Sequence, residues 1–217
     1  MSDVQIYYTY VDYLGKYKNR LSNMNIDLDI SLTRGDKTIQ EIYDVVNKDE
    51  AFCRDEKSIS RNYLLSLIQS DITLYADIDD KITGVLCFAF NKINDDLIIN
   101  FNGICSPFIY SKQRVGENLI KSLITLARVN GVKYIKLECK GSVMQYYRDR
   151  FGFQLIDTIF SYDSDEDSDD EKEPYYFMRL DLSKISGGNK KKNRTLKKTN
   201  KRRKRKSVAT RKRNLRK

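Results

Sequence analysis

The stretch Gln113-Arg114-Val115-Gly116-Glu117-Asn118 stands between a strand-like apolar run and an amphipathic helix, and its reading decides the fold. Upstream, residues 97–105 (LIINFNGIC) set Ile99 and Phe101 against Ile98, Asn100 and Asn102, the two-residue period of a strand. Pro107 ends that run because proline cannot donate to a ladder. Downstream, Val115, Leu119, Leu123 and Leu126 recur at helical spacing as far as Gly131, with Glu117 and Lys121 as a supporting pair one turn apart. Strand, turn and helix in that order aim several free backbone N–H groups, and the positive end of a helix dipole, at one point. Such a turn suits a pyrophosphate, and Gly116 lets a ligand approach the backbone closely.

A second unit of the same kind follows. Residues 134–139 (YIKLEC) read as a strand, and residues 144–153 (MQYYRDRFGF) as a short helix closed by Gly152. With both units in view, the sequence resembles the GNAT superfamily of N-acetyltransferases. The phosphate-cradling motif of that family is Gln/Arg-x-x-Gly-x-Gly/Ala, and its later signature runs strand, helix, Tyr, Gly-Phe. Here the first motif is Gln113-x-x-Gly116-x-Asn118, with Asn118 in place of the usual small residue. The second is Tyr146-Tyr147 followed by Gly152-Phe153, one residue longer than the commonest spacing, so either tyrosine fits the functional position. The resemblance covers roughly residues 70–160, extends back to about 26 and forward to 182, and does not reach the tail.

The resemblance implies an α/β (α+β) GNAT fold, a central mixed and mostly antiparallel sheet of about 6–7 strands flanked by about four helices. It also implies acetyl-CoA as co-substrate, with no metal. Residues Gln113, Arg114, Val115, Gly116, Glu117 and Asn118 would then cradle the pyrophosphate. Backbone groups of Gly103, Ile104, Cys105 and Ser106 would pair with the pantetheine arm, and Ser142 lies near the place of a cofactor-contacting Asn. An amine acceptor with a pKa of about 10.4 is neutral in only about one molecule in a thousand near pH 7, so a base must take its proton. The run Leu137-Glu138-Cys139 is similar to the Leu-Glu-Val of ribosomal-protein-type N-terminal acetyltransferases. Carried over, Glu138 is the candidate base and Tyr147 the candidate acid, with Tyr146 as its alternate.

Composition sets outer bounds. A chain of 217 residues has room for one domain with a substantial core and an appendage. No apolar stretch approaches the roughly 20 residues of a membrane span, and the N-terminus does not read as a signal peptide, so the expectation is a soluble intracellular protein. Cys53, Cys87, Cys105 and Cys139 are widely spaced and read as reduced core thiols. There is no His, which excludes imidazole catalysis. The net charge of +10 conceals a division: 18 of the 40 bases fall in residues 184–217, which hold no acid, leaving 22 bases against 30 acids in the rest.

Along the chain, residues 1–25 are tyrosine-rich and read as an N-terminal extension, with the acetyltransferase domain over 26–183. Within it the pattern predicts a strand over 26–32, helices over 38–47 and 58–69 (the latter capped by Ser58), and a hairpin of 72–77 with 82–90 across Asp79-Asp80. A closing hairpin joins 153–160 to 175–182, and between its strands lie eight acids in residues 163–173 (DSDEDSDDEKE). Such a run reads as a solvated loop; in the resembled fold it lies near the acceptor, where it would concentrate cations. Residues 184–217 read as a disordered Lys/Arg tail suited to phosphate contacts through 190–217, or to nuclear targeting. Its composition is similar to the ends of many proteins of large DNA viruses, which suggests association with a nucleus, virion or virus factory. The leading functional expectation is acetyl transfer to a basic acceptor, a protein lysine or N-terminus. Its rivals are a catalytically weak member acting as a nucleic-acid-binding or virion structural protein, and a polyamine- or aminoglycoside-type small-molecule acetylase.

Overall fold

The computed structural model describes residues 3–54, 59–159 and 174–183. The first strand, β1 (Gln5–Thr9), lies inside the tyrosine-rich segment expected to be an extension. It leads through a 3-10 turn into helix α1 (Lys16–Asn23) and then to a short strand, β2 (Thr33–Arg34), parallel to β1. The sheet therefore begins at Gln5 rather than at residue 26. The tyrosines serve here as amphipathic packing: Tyr8 is buried and its hydroxyl donates to Asp29 Oδ1 at 2.6 Å, while the rings of Tyr10 and Tyr17 meet at 5.2 Å.

Residues 26–32, expected as a strand, form turns and bends instead. Ile26, Leu28 and Leu32 are buried, which is what imitates a strand in the sequence. The backbone groups that a ladder needs are engaged elsewhere. Asn130 accepts from the Asp27 N–H and donates to the Asp27 carbonyl, Asp27 Oδ1 accepts from the Asp29 N–H, and the Leu32 N–H bonds to Leu28 O.

Helix α2 (Ile39–Lys48) starts with a reciprocal Thr38/Glu41 capping box. Helix α3 (Arg61–Ser70) is capped by Ser60, whose Oγ accepts from the Tyr63 N–H at 3.2 Å; Ser58, expected in that role, lies outside the described residues. Strands β3 (Ile72–Ile78), β4 (Lys81–Ile93) and β5 (Asp96–Cys105) follow as a meander. Its turns, Asp79-Asp80 and Asn94-Asp95, hold positive φ at both residues, the conformation that two-residue hairpins require. Then come α4 (Val115–Val129), β6 (Tyr134–Lys140), α5 (Gly141–Phe151), β7 (Gln154–Ile159) and β8 (Tyr175–Asp181).

Among the described residues, eight strands form one mixed sheet, ordered β2-β1-β3-β4-β5-β6-β8-β7, in which only β1/β2 and β5/β6 are parallel. Relative to the expected sheet and helices, β1, β2 and α1 are the additions, and the strand expected over 26–32 is absent. One face packs Leu86, Phe88, Ile99, Phe101 and Ile135 against α4, with Leu21 of α1 and Tyr147 of α5 in the same cluster. The other packs Tyr75, Val85 and Cys87 against Ile42 and Val46 of α2 and Leu64 and Ile68 of α3.

Cys53 and Cys105 are joined by a disulfide, with Cα atoms 5.5 Å apart, which corrects the expectation of four reduced thiols. A separation of 52 residues hides the pairing in the sequence; the turn after α2 brings Cys53 over the end of β5. Cys87 and Cys139 are buried and outside the disulfide, and burial pushes the Cys87 thiol up to about 12. The acidic residues 163–173 and the basic tail lie outside the described residues. Among those described, no helix is long and apolar enough to cross a membrane.

Gly84 determines how closely α4 approaches the sheet. A Cβ there would lie 2.5 Å from Val115 Cγ1 and 3.1 Å from Ser106 Cβ, and Val115 is fully buried. Gly84→Val is expected to lower the unfolding free energy by about 1–3 kcal/mol, the usual cost of overpacking, read as a reduced urea midpoint at unchanged slope.

Candidate functional site

Strands β5 and β6 pair in parallel from Ile98–Tyr134 to Phe101–Leu137, and the ladder ends there. Both strands continue, β5 to Cys105 and β6 to Lys140, so the sheet opens into a wedge bounded by Asn102–Cys105 on one side and Glu138–Lys140 on the other. The opening starts at a bulge: Phe88 pairs with Phe101 and Cys87 with Gly103, which leaves Asn102 as an extra residue on β5. Gly103 fits beneath α3 because it has no Cβ; one would lie 2.5 Å from Ile59 Cδ1 and 2.9 Å from Leu67 Cδ1.

The expected phosphate turn sits at the open end of this wedge. A 3-10 turn over residues 108–113 delivers Arg114 in the left-handed region (φ 55), and Arg114 begins α4 without any side-chain cap. The first N–H groups of α4 are therefore not occupied by a capping side chain. Gly116 is in this first turn, and a Cβ on it would meet only Ile104 Cδ1 at 3.7 Å and Ser106 Oγ at 3.9 Å. Ile104, Ser106 and Gly116 thus share one surface. Gln113 Oε1 is buried without a hydrogen-bond partner within the protein. The Asn118 amide folds back to donate to Gln113 O at 3.4 Å.

Glu117 binds α4 to α5. Its carboxylate takes Lys121 at 2.6 Å and Arg150 at 3.0 Å, and with a side-chain exposure of only 12% it is shielded by both. The hydrogen bond from Lys121, assisted by the Arg150 charge, holds the carboxyl below its usual range. This places α5 and its two tyrosines at the wedge.

The tyrosines differ in position. Tyr146 is 40% exposed, meets Phe151 edge-on, and has its phenol raised by partial burial and by the Glu117 charge. Tyr147 points inward, its ring 6.0 Å from Phe101, the last β5 residue paired with β6, and 5.9 Å from Phe153. Burial pushes its phenol well above the usual value, with Cys139 a close neighbour. Glu138 is exposed and lies on the opposite face of β6 from Ile135, Leu137 and Cys139. Glu138 and Tyr147 therefore flank the wedge from opposite faces of the sheet. Ser142 is exposed in the first turn of α5.

Three residues that the sequence did not single out also border the wedge, on the α3 side. Tyr63 is 50% exposed in the first turn of α3, its phenol raised by burial and by the charges of Glu138 and Asp71. Asp71, at the end of α3, is 9% exposed, and its Oδ2 accepts from Asn102 Nδ2 at 2.7 Å. Burial raises the Asp71 carboxyl, and the hydrogen bond from Asn102 opposes that. Asn102, a polar residue inside an apolar strand, was the available signal.

A separate cleft of about 750 Å³ lies at the other end of the sheet, between the β4–β5 turn, the C-terminus of α4 and Leu182. Its Lys92–Asp95 and Lys133–Asp96 pairs neutralise one another, and none of the site residues reaches it. Among the described residues, no group of three or more His, Cys, Asp or Glu is placed to hold a metal ion.

With this geometry, the chain was compared with known proteins. No family model matches the sequence, and no curated protein matches it. Solved structures do match. A GNAT-family protein from Desulfovibrio desulfuricans aligns over 82% of this chain and 99% of its own, at 13% identity and a TM-score of 0.53. The ribosomal-protein-S18-alanine N-acetyltransferase of Escherichia coli aligns over 68% of this chain and 92% of its own, at 15% identity and a TM-score of 0.52. Chaetomium thermophilum Naa20, in complex with a bisubstrate analogue, aligns over 68% and 87%, at 15% identity and a TM-score of 0.51. The chain has the GNAT acetyltransferase fold.

Because the ionised Glu117 is the form the folded protein favours, its contribution is complete above the ordinary carboxylate value of about 4.3 and disappears as pH falls through the lower folded value. The stability gap between the native protein and Glu117→Gln should be full at pH 7 and close progressively below about pH 4.3 in urea titrations.

Proposed function

We propose that the protein transfers an acetyl group from acetyl-CoA to an amine of a basic acceptor, either a protein lysine or an N-terminus. One observation carries the reading. The parallel ladder between β5 and β6 stops after Phe101–Leu137, and the wedge so formed opens beside a helix N-terminus with no side-chain cap. A strand edge next to unoccupied N–H groups suits a ligand with a peptide-like arm and a pyrophosphate. The residues present fit coenzyme A: Gln113 Oε1 is buried without a partner, and Gly116 adds no side chain to the surface it shares with Ile104 and Ser106.

In this reading the N–H groups of Val115, Gly116 and Glu117 hold the pyrophosphate, and the free edge over Gly103, Ile104, Cys105 and Ser106 holds the pantetheine amides. Arg114 and Gln113 lie beside them, and Lys121 with Arg150 offsets the Glu117 charge that would otherwise oppose an anion. Bound acetyl-CoA supplies an activated thioester. Glu138, on the exposed face, takes a proton from the acceptor ammonium, and the freed amine forms its bond to the acetyl carbon as the carbon–sulfur bond breaks. Tyr147, on the other face, gives a proton to the departing sulfur, its burial keeping the phenol protonated until that moment, and the second proton that the acceptor nitrogen sheds on becoming an amide balances the one Tyr147 gives up. Tyr146 is turned toward Arg150 and Glu117 and is the weaker candidate for that role. Acetylation of a protein amine is favoured over small-molecule acetylation by one structural neighbour, whose name describes an alanine N-acetyltransferase of a ribosomal protein.

The deciding experiment is calorimetry with acetyl-CoA, followed by mass spectrometry of basic peptides incubated with both. Gly116→Val should weaken acetyl-CoA binding at least tenfold while the protein stays folded; unchanged binding would remove the cradle from residues 113–118. Glu138→Gln and Tyr147→Phe should each lower turnover about 10²-fold or more with acetyl-CoA affinity retained, whereas Tyr146→Phe should remain near native. Native rates in the first two variants would leave the wedge without its proposed chemistry.

A further inference from the structure

The bulge in β5 needs something to hold it, because a regular antiparallel register is always available to a strand paired with β4. Continuing the Phe88–Phe101 register would leave Asn102 on its present face, opposite Cys87, and turn Cys105 away from its disulfide partner Cys53; continuing the Cys87–Gly103 register would instead put Asn102 opposite Phe88, on the other face of the sheet. The Asp71–Asn102 hydrogen bond opposes that second shift. Asp71 is itself fixed twice: its N–H closes α3 on Leu67 O at 2.8 Å, and the next residue, Ile72, pairs with Phe88, which in turn pairs with Phe101. The contact thus runs from the first residue before β3, across β4, to the unpaired residue of β5. On β4, between the two, Ala89 pairs with Asn100 and Cys87 with Gly103, both short side chains. The Asp71 carboxylate is buried, so losing its donor would leave a desolvated charge, a costlier outcome than losing an exposed hydrogen bond.

We propose that Asp71 and Asn102 are positioning residues for the acetyl-CoA site: their buried hydrogen bond locks the β5 bulge and so holds the β5 edge away from β6, ready for a pantetheine arm. The inference rests on the acetyltransferase reading above but concerns only half of that site. The pyrophosphate half, at the start of α4, belongs to a different element and does not depend on the bulge.

That division gives the test. Full-length protein is titrated by calorimetry with coenzyme A, which has the pantetheine arm, and with adenosine 3′-phosphate 5′-diphosphate, which lacks it. Asn102→Ala should weaken coenzyme A at least tenfold and leave the nucleotide within about twofold. Asp71→Asn keeps an acceptor for the Asn102 amide and should keep both affinities within about threefold. If Asn102→Ala does not fold, Asn102→Gln serves, since it retains the amide but moves it by one methylene, and the same split is expected. Equal weakening of both ligands, or no weakening of either, would overturn the lock, as would an Asp71→Asn variant as poor as Asn102→Ala. A native protein that binds neither ligand would instead overturn the acetyltransferase reading itself, together with anything built on it.

Discussion

A parallel ladder that stops after Phe101–Leu137 is the constraint on which the remainder of the molecule depends. In an unbroken sheet every backbone group in the interior is already bonded, and no extended ligand could be received there. Ending one ladder in the middle of the sheet leaves two strands with outer partners intact, β5 on β4 and β6 on β8, and their facing edges released. The sheet stays whole because α4 packs on both halves across one face. Helix α4 covers one face, α3 reaches β5 on the other, and Glu117 with Arg150 fixes α5 to the first turn of α4. Every candidate residue gains its position from that opening rather than from its own neighbourhood in the chain.

The elements adjoining the opening were legible because their signals are local. The apolar period of β5, the Gly131 and Gly152 helix ends and the Tyr134–Cys139 alternation all appear where the sequence puts them, and both glycines have positive φ. Even the ambiguity between Tyr146 and Tyr147 was confined to two adjacent residues, and helical rotation alone sends one to the surface and the other to the core.

What was not legible is non-local. The alternation of Ile26, Leu28 and Leu32 is that of a strand, yet Asn130, more than a hundred residues away, takes the Asp27 backbone groups. The true edge of the sheet was hidden in the tyrosine-rich start because buried tyrosines with hydrogen-bonded hydroxyls read as polar and aperiodic. Cys53 and Cys105, and likewise Asp71 and Asn102, are meetings of residues that no sequence spacing announces. Gly84 could have been found, since a glycine within an apolar strand signals close approach of another element.

Strand β8 has a further consequence, through where it begins and ends. It starts at Tyr175, opposite Lys140 and Ile159 at the open end of the wedge, and it finishes at Asp181, opposite Tyr134 at the closed end. Ile159 and Tyr175, between which the sequence carries the eight acids of residues 163–173, thus lie at the open end of the wedge, whereas Ser183, after which the sequence carries 18 bases and no acid, lies beyond the closed end. A strand of seven residues separates the two levels by about 20 Å, more than twice the Debye length of about 8 Å at physiological salt. The acids and bases behind the net charge of +10 therefore enter the sequence from opposite ends of one strand.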